Sequence, residues 1–515
     1  MLAQIAKLPL LVILMGISAL AMLLPAGFGW MIGEFFEARV FLYGALLFGF
    51  LTSFLAIAMA DRPRSTRPRR HLVALLGLFV LLPLMLAVPF HQAVRTTTFL
   101  NSYVEMVSAL TTTGATLFDD PTRLARSVHL WRALVGWLGG LFIWVGAIAI
   151  LAPMALGGFE VRARFGARRA GATFRDDRLG AGLNQITRVA DISERIRAYA
   201  IRLLPVYTGL TLALWICLII AGDGAFVALC HAMSTMATSG ISPVGGPAGG
   251  GAGYAGEMVI AAFFIFAVSR LTFASDMQAG ELRRLHKDPE IRMALAIVIV
   301  LPLFLFFRHW VGAFEVDEEQ NLLAGIASLW GSFFTVLSFL TTTGFESSAW
   351  SDSRDWSGLQ TPGLILMGLA LVGGGVATTA GGAKLMRVYA LYLHGLREME
   401  KLVHPSSVGG SGTDARHMRG RGAYMAWLFF MLMSMSVALV SALLTLTGQD
   451  FENAMALTIA ALTTTGPIAT SAMAEPISYG ALSDTAKLVL AGAMILGRLE
   501  TLAIIALFSP EIWRR

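Results

Sequence analysis

A run of hydroxyl residues closed by a glycine recurs four times in this chain, as SALTTTGA at Ser108 to Ala115, STMATSGI at Ser234 to Ile241, SFLTTTGF at Ser338 to Phe345 and AALTTTGP at Ala460 to Pro467. The chemistry such a phrase offers is oxygen ligation of a dehydrated monovalent cation. Potassium sheds its water only where several oxygens of suitable field strength replace it, as hydroxyls and backbone carbonyls from four loops do in a cation-channel filter. Glycine accepts positive φ and can turn successive carbonyls toward an axis. The expected filter residues are Thr112, Thr113 and Gly114, Thr238, Ser239 and Gly240, Thr342, Thr343 and Gly344, and Thr464, Thr465 and Gly466. Thr113, Ser239, Thr343 and Thr465 each offer a carbonyl and a hydroxyl oxygen. Taken singly, the phrase is no more than a helix cap or loop. Four copies, each after a short apolar segment, point to one site built by four segments and to the movement of potassium.

The elements that must position these loops are membrane helices. The chain has 515 residues, 56% hydrophobic and 14% charged, with a mean hydropathy of +0.69, too apolar for a soluble multidomain protein. Apolar stretches near the ~20 residues needed to cross a bilayer lie at Leu8 to Trp30, Val40 to Ala60, His71 to Val94, Leu130 to Leu156, Ile201 to Gly222, Met258 to Ala274, Met293 to Val311, Pro362 to Leu385, Tyr424 to Gly448 and Ala486 to Phe508. The expectation is an all-α polytopic membrane protein of about ten spans. The first run is longer than a signal-peptide core and is taken as a retained span. Shorter apolar pieces precede the phrases, at Asn101 to Leu110, Ala225 to Ala237, Asn321 to Leu340 and Phe451 to Leu462. These are expected to be re-entrant pore helices, whose partially negative C-termini would stabilise a cation at mid-membrane. The unit of helix, pore helix, filter loop and helix repeats roughly every hundred residues, after two extra N-terminal spans. Irregular backbone at membrane depth must line a cavity or be buried, so the four loops should converge on one axis. The expected divisions are residues 1–60, two N-terminal helices; 61–160, repeat one; 161–280, repeat two; 281–400, repeat three; and 401–515, repeat four.

Charge sidedness orients these spans. The Arg62 to Arg70 cluster, the loop with Arg162, Arg164, Arg168, Arg169, Arg175 and Arg178, the segment with Arg283, Arg284 and Lys287, the segment Arg387 to Arg421, and Arg514 and Arg515 fall on one side of a ten-span count. That side is cytoplasmic by the positive-inside rule. The net charge of +6 is dispersed between spans rather than gathered in one basic domain, which argues against nucleic acid as a partner. Cys217 and Cys230 lack disulfide or metal-ligand spacing and are expected to pack as small apolar residues. His129, His231, His309 and His394 form no convergent motif and are expected to be structural. No Walker phosphate loop, dinucleotide fingerprint, nucleophile motif or paired intramembrane carboxylate supports an enzyme.

VSALTTTGAT followed by HLWRALVGWLGG, with HAMSTMATSGIS, LSFLTTTGF, KDPEIR at Lys287 to Arg292 and MILGRLET at Met494 to Thr501, resembles the Trk/Ktr/HKT potassium transporter superfamily over nearly the whole chain, most of all its bacterial Trk-type uptake subunits. The resemblance implies a gate in which a glycine-rich loop breaks the second helix of repeat three below the filter. Gly373, Gly374, Gly375, Val376, Ala377, Thr378, Thr379, Ala380, Gly381, Gly382, Ala383 and Lys384 match that loop. From the residues alone, so many glycines make a poor continuous helix, while close helix packing is the alternative. Arg498 matches a pore-facing arginine beneath the filter, an electrostatic barrier to cations; a snorkelling or salt-bridged arginine is the alternative. Glu500 lies on a different helical face and is expected to pair elsewhere. Lys384 suits the gate and a cytoplasmic anchor equally, and Arg270, with Asp276 near the inner end of repeat two, suits snorkelling.

The resemblance further implies a homodimer in the bacterial inner membrane with both termini cytoplasmic. It implies a cytosolic regulatory subunit binding NAD(H) and adenine nucleotides, nucleotide control being borrowed from that partner. The basic cytoplasmic loops are candidate docking surfaces, or anchors to anionic lipid. Three departures from the family pattern stand out. Thr465 and Ile468 occupy positions where Asn and a second Gly are usual, Ser239 stands where Gly is frequent, and VSRLTFA at Val268 to Ala274 replaces a stretch with Gly and Asn. Family members with Ser in place of the first filter glycine favour sodium, so Gly114 implies potassium. The alternative is a sodium or weakly selective monovalent-cation pathway.

Overall fold

The computed structural model describes residues 8–59, 68–152, 192–269, 288–313, 322–357, 363–404, 422–473 and 475–499. Outside them lie Arg270, Asp276, Arg283, Arg284, Lys287, Glu500, Arg514 and Arg515, most of the three long cytoplasmic connections, and the far end of the last expected span. The side chain of His309 is likewise not described.

Every regular element among the described residues is helical. Seven helices among the described residues are long and apolar enough to cross a membrane: Leu10–Ile32, Phe35–Met59, Val73–Ala93, Arg126–Leu151, Glu194–Ala221, Pro289–Phe307 and Ala423–Leu446. The remaining three expected spans are described in part or broken. Gly253–Phe263 and Ile265–Val268 are separated by a turn at Phe264, Gly363–Val372 stops at the glycine run, and Asp484–Leu499 reaches the edge of the described residues. The eighth expected span, Pro362 to Leu385, is not one helix, because Gly373 takes φ 70° and helix resumes only at Leu385–Val403. Near the N-terminus, Gly33 at φ 85° caps Leu23–Ile32, so the chain reverses into Phe35–Met59.

Burial separates central from peripheral helices. The Arg126–Leu151 span is 83% buried, whereas Phe35–Met59 is 28% buried and turns Tyr43, Leu46, Leu47, Phe50, Phe54 and Ile57 outward. An apolar outer face suits a protein surrounded by lipid, with its buried polar groups kept inside.

Inside this shell stand four helices, Phe99–Leu110, Ala225–Ala237, Leu322–Leu340 and Phe451–Leu462, each ending at a Thr/Gly phrase; the third, with 19 residues, is longer than the others, with 12 or 13. Twelve residues of helix, as in the first and fourth, span about 18 Å at 1.5 Å per residue, which is too short to cross the bilayer. The first begins at Thr98, whose hydroxyl accepts a hydrogen bond from Asn101 N at 3.2 Å. Two glycines bring the pore-helix ends against the following helices. A Cβ at Gly139 would overlap the carbonyl of Leu110, and one at Gly497 would overlap the carbonyl of Leu462. Leu110 and Leu462 are the last residues of the first and fourth pore helices, so both helices are seated in the same way.

Candidate functional site

The four phrases meet tip to tip in cyclic order. A Cβ on Gly114 would strike the carbonyl oxygen of Ser239, one on Gly240 the carbonyl oxygen of Thr343, one on Gly344 the ring of Pro467 (2.8 Å to Cγ), and one on Gly466 the backbone of Ala115. Gly466 N donates to Thr113 O at 2.6 Å, which joins the fourth loop back to the first. At the outer rim Ser478 Oγ donates to Asp119 at 2.6 Å and joins the same two segments. Loops separated by hundreds of residues therefore enclose one axis.

In each loop a threonine carries the turn, joined in the first three by the glycine. Thr112, Thr238, Thr342 and Thr464 have φ of 55°, 51°, 58° and 55°. Positive φ is a genuine outlier for a β-branched residue, at a cost of about 1–3 kcal/mol each. Gly114, Gly240 and Gly344 follow at 71°, 67° and 78°. The hydroxyl of the first threonine is turned onto its own pore helix, Thr111 Oγ1 to Val107 O at 2.8 Å and Thr463 Oγ1 to Ile459 O at 2.7 Å. The third hydroxyl lies against the first, 2.8 Å for Thr111 and Thr113, 3.3 Å for Thr341 and Thr343, and 3.2 Å for Thr463 and Thr465. In the second loop Ser239 Oγ meets Ser234 Oγ at 3.2 Å. The second position differs. The hydroxyls of Thr112 and Thr464 are buried with no hydrogen-bond partner among the described residues, and Thr342 Oγ1 accepts from Gly381 N at 2.7 Å. Buried oxygens with spare lone pairs are what a dehydrated cation needs.

The fourth loop is unlike the others. Gly466 is absent from the left-handed residues, its carbonyl accepts from Tyr479 Oη at 2.8 Å and Ala469 N at 3.2 Å, and Ile468–Ser471 is already helical. A glycine is still required there, because a Cβ would collide with Ala115. Nothing in the sequence singles out Tyr479; a lone aromatic in a polar stretch carries no periodic signal.

Residues 373–384 lie directly below this ring. Ala383 N donates to Leu371 O and Lys384 N to Val372 O, both at 2.9 Å, folding the segment back on the helix it leaves. Gly375 N donates to Ala267 O at 3.0 Å, Val376 N to Glu290 Oε1 at 3.0 Å, and Thr379 Oγ1 to Met236 O at 3.1 Å. Thr378 Oγ1 bonds Gly375 O at 2.8 Å. A Cβ on Gly381 would overlap the Thr463 carbonyl and the Thr464 hydroxyl, so the loop packs against the fourth Thr/Gly phrase. Gly373, Gly374 and Gly382 crowd one another and their neighbours where the loop leaves and rejoins helix. Arg498 is 5% exposed and its Nη1 donates to Thr379 O at 2.8 Å. Lys384 is buried with Nζ on Ala380 O, which joins it to the loop and not to a solvent anchor. Glu290 belongs to this loop's seat, a role that its place in the family-like KDPEIR segment does not by itself reveal.

Elsewhere, His129 Nε2 lies 2.8 Å from Pro121 O, and His231 sits between Ser242 (2.9 Å) and Asp223 (3.5 Å), both structural contacts; His394 is exposed. Cys230 is buried and Cys217 partly so.

Residues 258–515 match the TrkH family model, described as cation transport protein. The chain is 30% identical over 445 residues to the Trk system potassium uptake protein TrkH of Halomonas elongata, covering 86% of this chain and 84% of that protein. It is 29% identical over 420 residues to the Trk system potassium uptake protein TrkG of Escherichia coli K12, covering 81% and 79%. The crystal structure of the potassium transporter TrkH from Vibrio parahaemolyticus superposes with a TM-score of 0.78 over 99% of both chains at 24% identity, a likeness of fold.

Proposed function

This chain belongs to the TrkH family of cation transport proteins, and from that premise we propose that it is the membrane subunit of a potassium uptake system, with K+ shedding water at a filter supplied by four loops of one chain. The observation that carries this reading is the cyclic contact of Gly114, Gly240, Gly344 and Gly466 with their neighbours' backbones or proline ring. Potassium is the cargo. The backbone and hydroxyl oxygens of Thr112, Thr113, Gly114, Thr238, Ser239, Gly240, Thr342, Thr343, Gly344, Thr464 and Thr465 form its path, while Gly466 closes the ring by its N–H. Inward movement is driven by the membrane potential, about 2.3 kcal/mol per charge per 100 mV.

Below the filter, Gly373, Gly374, Gly375, Thr378, Thr379, Gly381, Gly382 and Lys384 form a gate, with Arg498 as a fixed positive charge on the loop. A guanidinium held at Thr379 O opposes a dehydrated cation in the same passage. The rest of the assembly follows from the family resemblance: a homodimer in the bacterial inner membrane, both termini cytoplasmic, regulated by a cytosolic NAD- and nucleotide-binding subunit. The helix Leu385–Val403 runs directly from the gate, which makes it a path by which such a subunit acts on the loop.

Purified protein in liposomes, assayed for K+ and Na+ flux, tests the reading. Wild type is expected to favour K+, and Arg498→Ala to raise K+ flux severalfold. Unchanged flux in the variant places Arg498 outside the path. Equal K+ and Na+ flux in wild type favours a weakly selective cation pathway, the reading supported by the committed Gly466 carbonyl.

A further inference from the structure

Backbone amides beyond a filter glycine need partners when buried, because an orphaned N–H costs about as much as a lost hydrogen bond. The third residue past the glycine meets that need differently in each loop. After Gly114, Leu117 N donates to Glu105 Oε2 at 2.9 Å. After Gly344, Ser347 N donates to Thr335 Oγ1 at 3.4 Å. After Gly240 the residue is Pro243, which has no N–H, and the neighbouring Ser242 hydroxyl meets His231 Nε2 at 2.9 Å. After Gly466 it is Ala469, whose N–H turns back to Gly466 O at 3.2 Å.

The partners share one address. Glu105, His231, Thr335 and Leu457 all stand nine residues before their glycine, on the pore helix. Polar side chains occupy this position in the three loops whose outer segment is tied to it, and leucine occupies it where the amide is satisfied locally. Glu105 is the most strongly fixed of the four. It is buried, its Oε1 pairs with Arg132 Nη2 at 2.6 Å on the following helix, and Ser108 Oγ on the same pore helix holds Ala115 O at 2.7 Å. Ala115 is also the surface against which Gly466 packs.

We propose that the polar side chain nine residues before the filter glycine in the first three loops, Glu105, His231 and Thr335, is a strut bracing the outer filter, and that Glu105, fixed by Arg132, is a positioning residue for K+ over Na+ selectivity. A filter favours the larger ion only while its oxygens resist closing in on the smaller one. Residues 115 to 117 are held at both ends by one pore helix and one ion pair, so loop one cannot relax toward the axis without breaking charged hydrogen bonds. This rests on the proposed potassium pathway.

The test is the K+ to Na+ flux ratio in liposomes. Glu105→Gln leaves Arg132 buried without its counter-charge and endangers folding, so the decisive variant is Glu105→Leu with Arg132→Met, which removes both charges together. Loss of one charge-assisted brace is expected to lower the ratio about tenfold. Thr335→Val is expected to lower it less, Thr335→Ser to restore it, and Leu457→Met to leave it at the wild-type value. A folded double variant with the wild-type ratio overturns the strut. A wild type that carries no K+ overturns the transport reading instead, and the strut is then decided by hydrogen exchange at Leu117. Faster exchange there in the double variant, with the Phe451–Leu462 helix unchanged, supports it, and unchanged exchange refutes it.

Discussion

Thr464 combines a left-handed backbone at φ 55° with a buried hydroxyl that has no hydrogen-bond partner among the described residues, and Thr112 does the same. Each feature opposes stability, the strain by about 1–3 kcal/mol and the unsatisfied hydroxyl by about 1–3 kcal/mol. Two costs at one residue, repeated in another loop, suit an oxygen reserved for an ion. Thr464→Gly removes both. The expected result is a melting temperature in K+-free buffer equal to or above wild type, with the stabilisation by added K+ reduced or lost. Full retention of that stabilisation would show that the hydroxyl does not bind the ion. At this scale the Thr/Gly residues are legible in the sequence through their fourfold repetition. That the middle hydroxyl is the unpaired one in the first and fourth loops, and bonded in the second and third, is not, since the three threonines of TTTG differ only by a backbone twist that composition does not encode. Ser239 and the fourth loop stand out in the sequence as departures from the family pattern. In the fourth the difference is concrete, a glycine kept for space while its carbonyl bonds Tyr479.

At the scale of elements, the first, second and fourth pore helices are legible because an apolar run too short to cross the bilayer, followed by a polar phrase, has to enter the membrane and turn back, and the third, 19 residues long, is legible only by the phrase that follows it. The break after Val372 is legible from glycine density together with the family resemblance, but its seat is not. That seat is built from Ala267 in the helix Ile265–Val268 and Glu290 at the start of Pro289–Ala313, residues far from 373–384 in sequence. Ser269 Oγ bonds Asp288 Oδ2 at 2.6 Å and ties those two helix ends together, so the loop rests on a joint between two helices. Contacts of this kind are invisible to periodicity, and a buried glutamate in a first helical turn reads simply as favourable to the helix dipole. Glu290→Ala removes the acceptor of Val376 N, and Glu290→Gln keeps one. If the loop closes the pathway, the alanine variant should show raised K+ flux in liposomes and the glutamine variant a smaller rise. Equal flux in both and in wild type would mean that this end of the loop stays fixed during conduction.

Across the whole molecule, carboxylates strap the ends of successive helices to one another on the expected outer side. Glu34 accepts from Arg126 N and Ser127 N, each at 2.9 Å, at the start of the helix after filter one. Asp223 accepts from Ala252 N at 2.9 Å, at the start of the helix after filter two. Glu257 accepts from Ser348 N at 2.7 Å and from the hydroxyls of Ser347 and Ser348, just after filter three, and from the indole of Trp330 on the pore helix before it. Each strap comes from an element preceding the segment it secures, and that of Glu257 runs from the helix after the second phrase to the segment after the third. The Gly466–Thr113 hydrogen bond then closes the circuit from fourth to first. Glu257 is the most connected and is fully buried, which makes its charge costly unless every donor is kept. Glu257→Ala should leave several of these donors without an acceptor and lower the melting temperature of the detergent-solubilised protein by several degrees. It should also weaken K+ protection, because Ser347 is both a Glu257 donor and the residue braced by Thr335 in filter three. Were the strap purely local, the melting temperature would fall while K+ still protected the protein by the wild-type margin. The size of that margin, measured with and without K+, separates a local clamp from a ring whose four walls stand together.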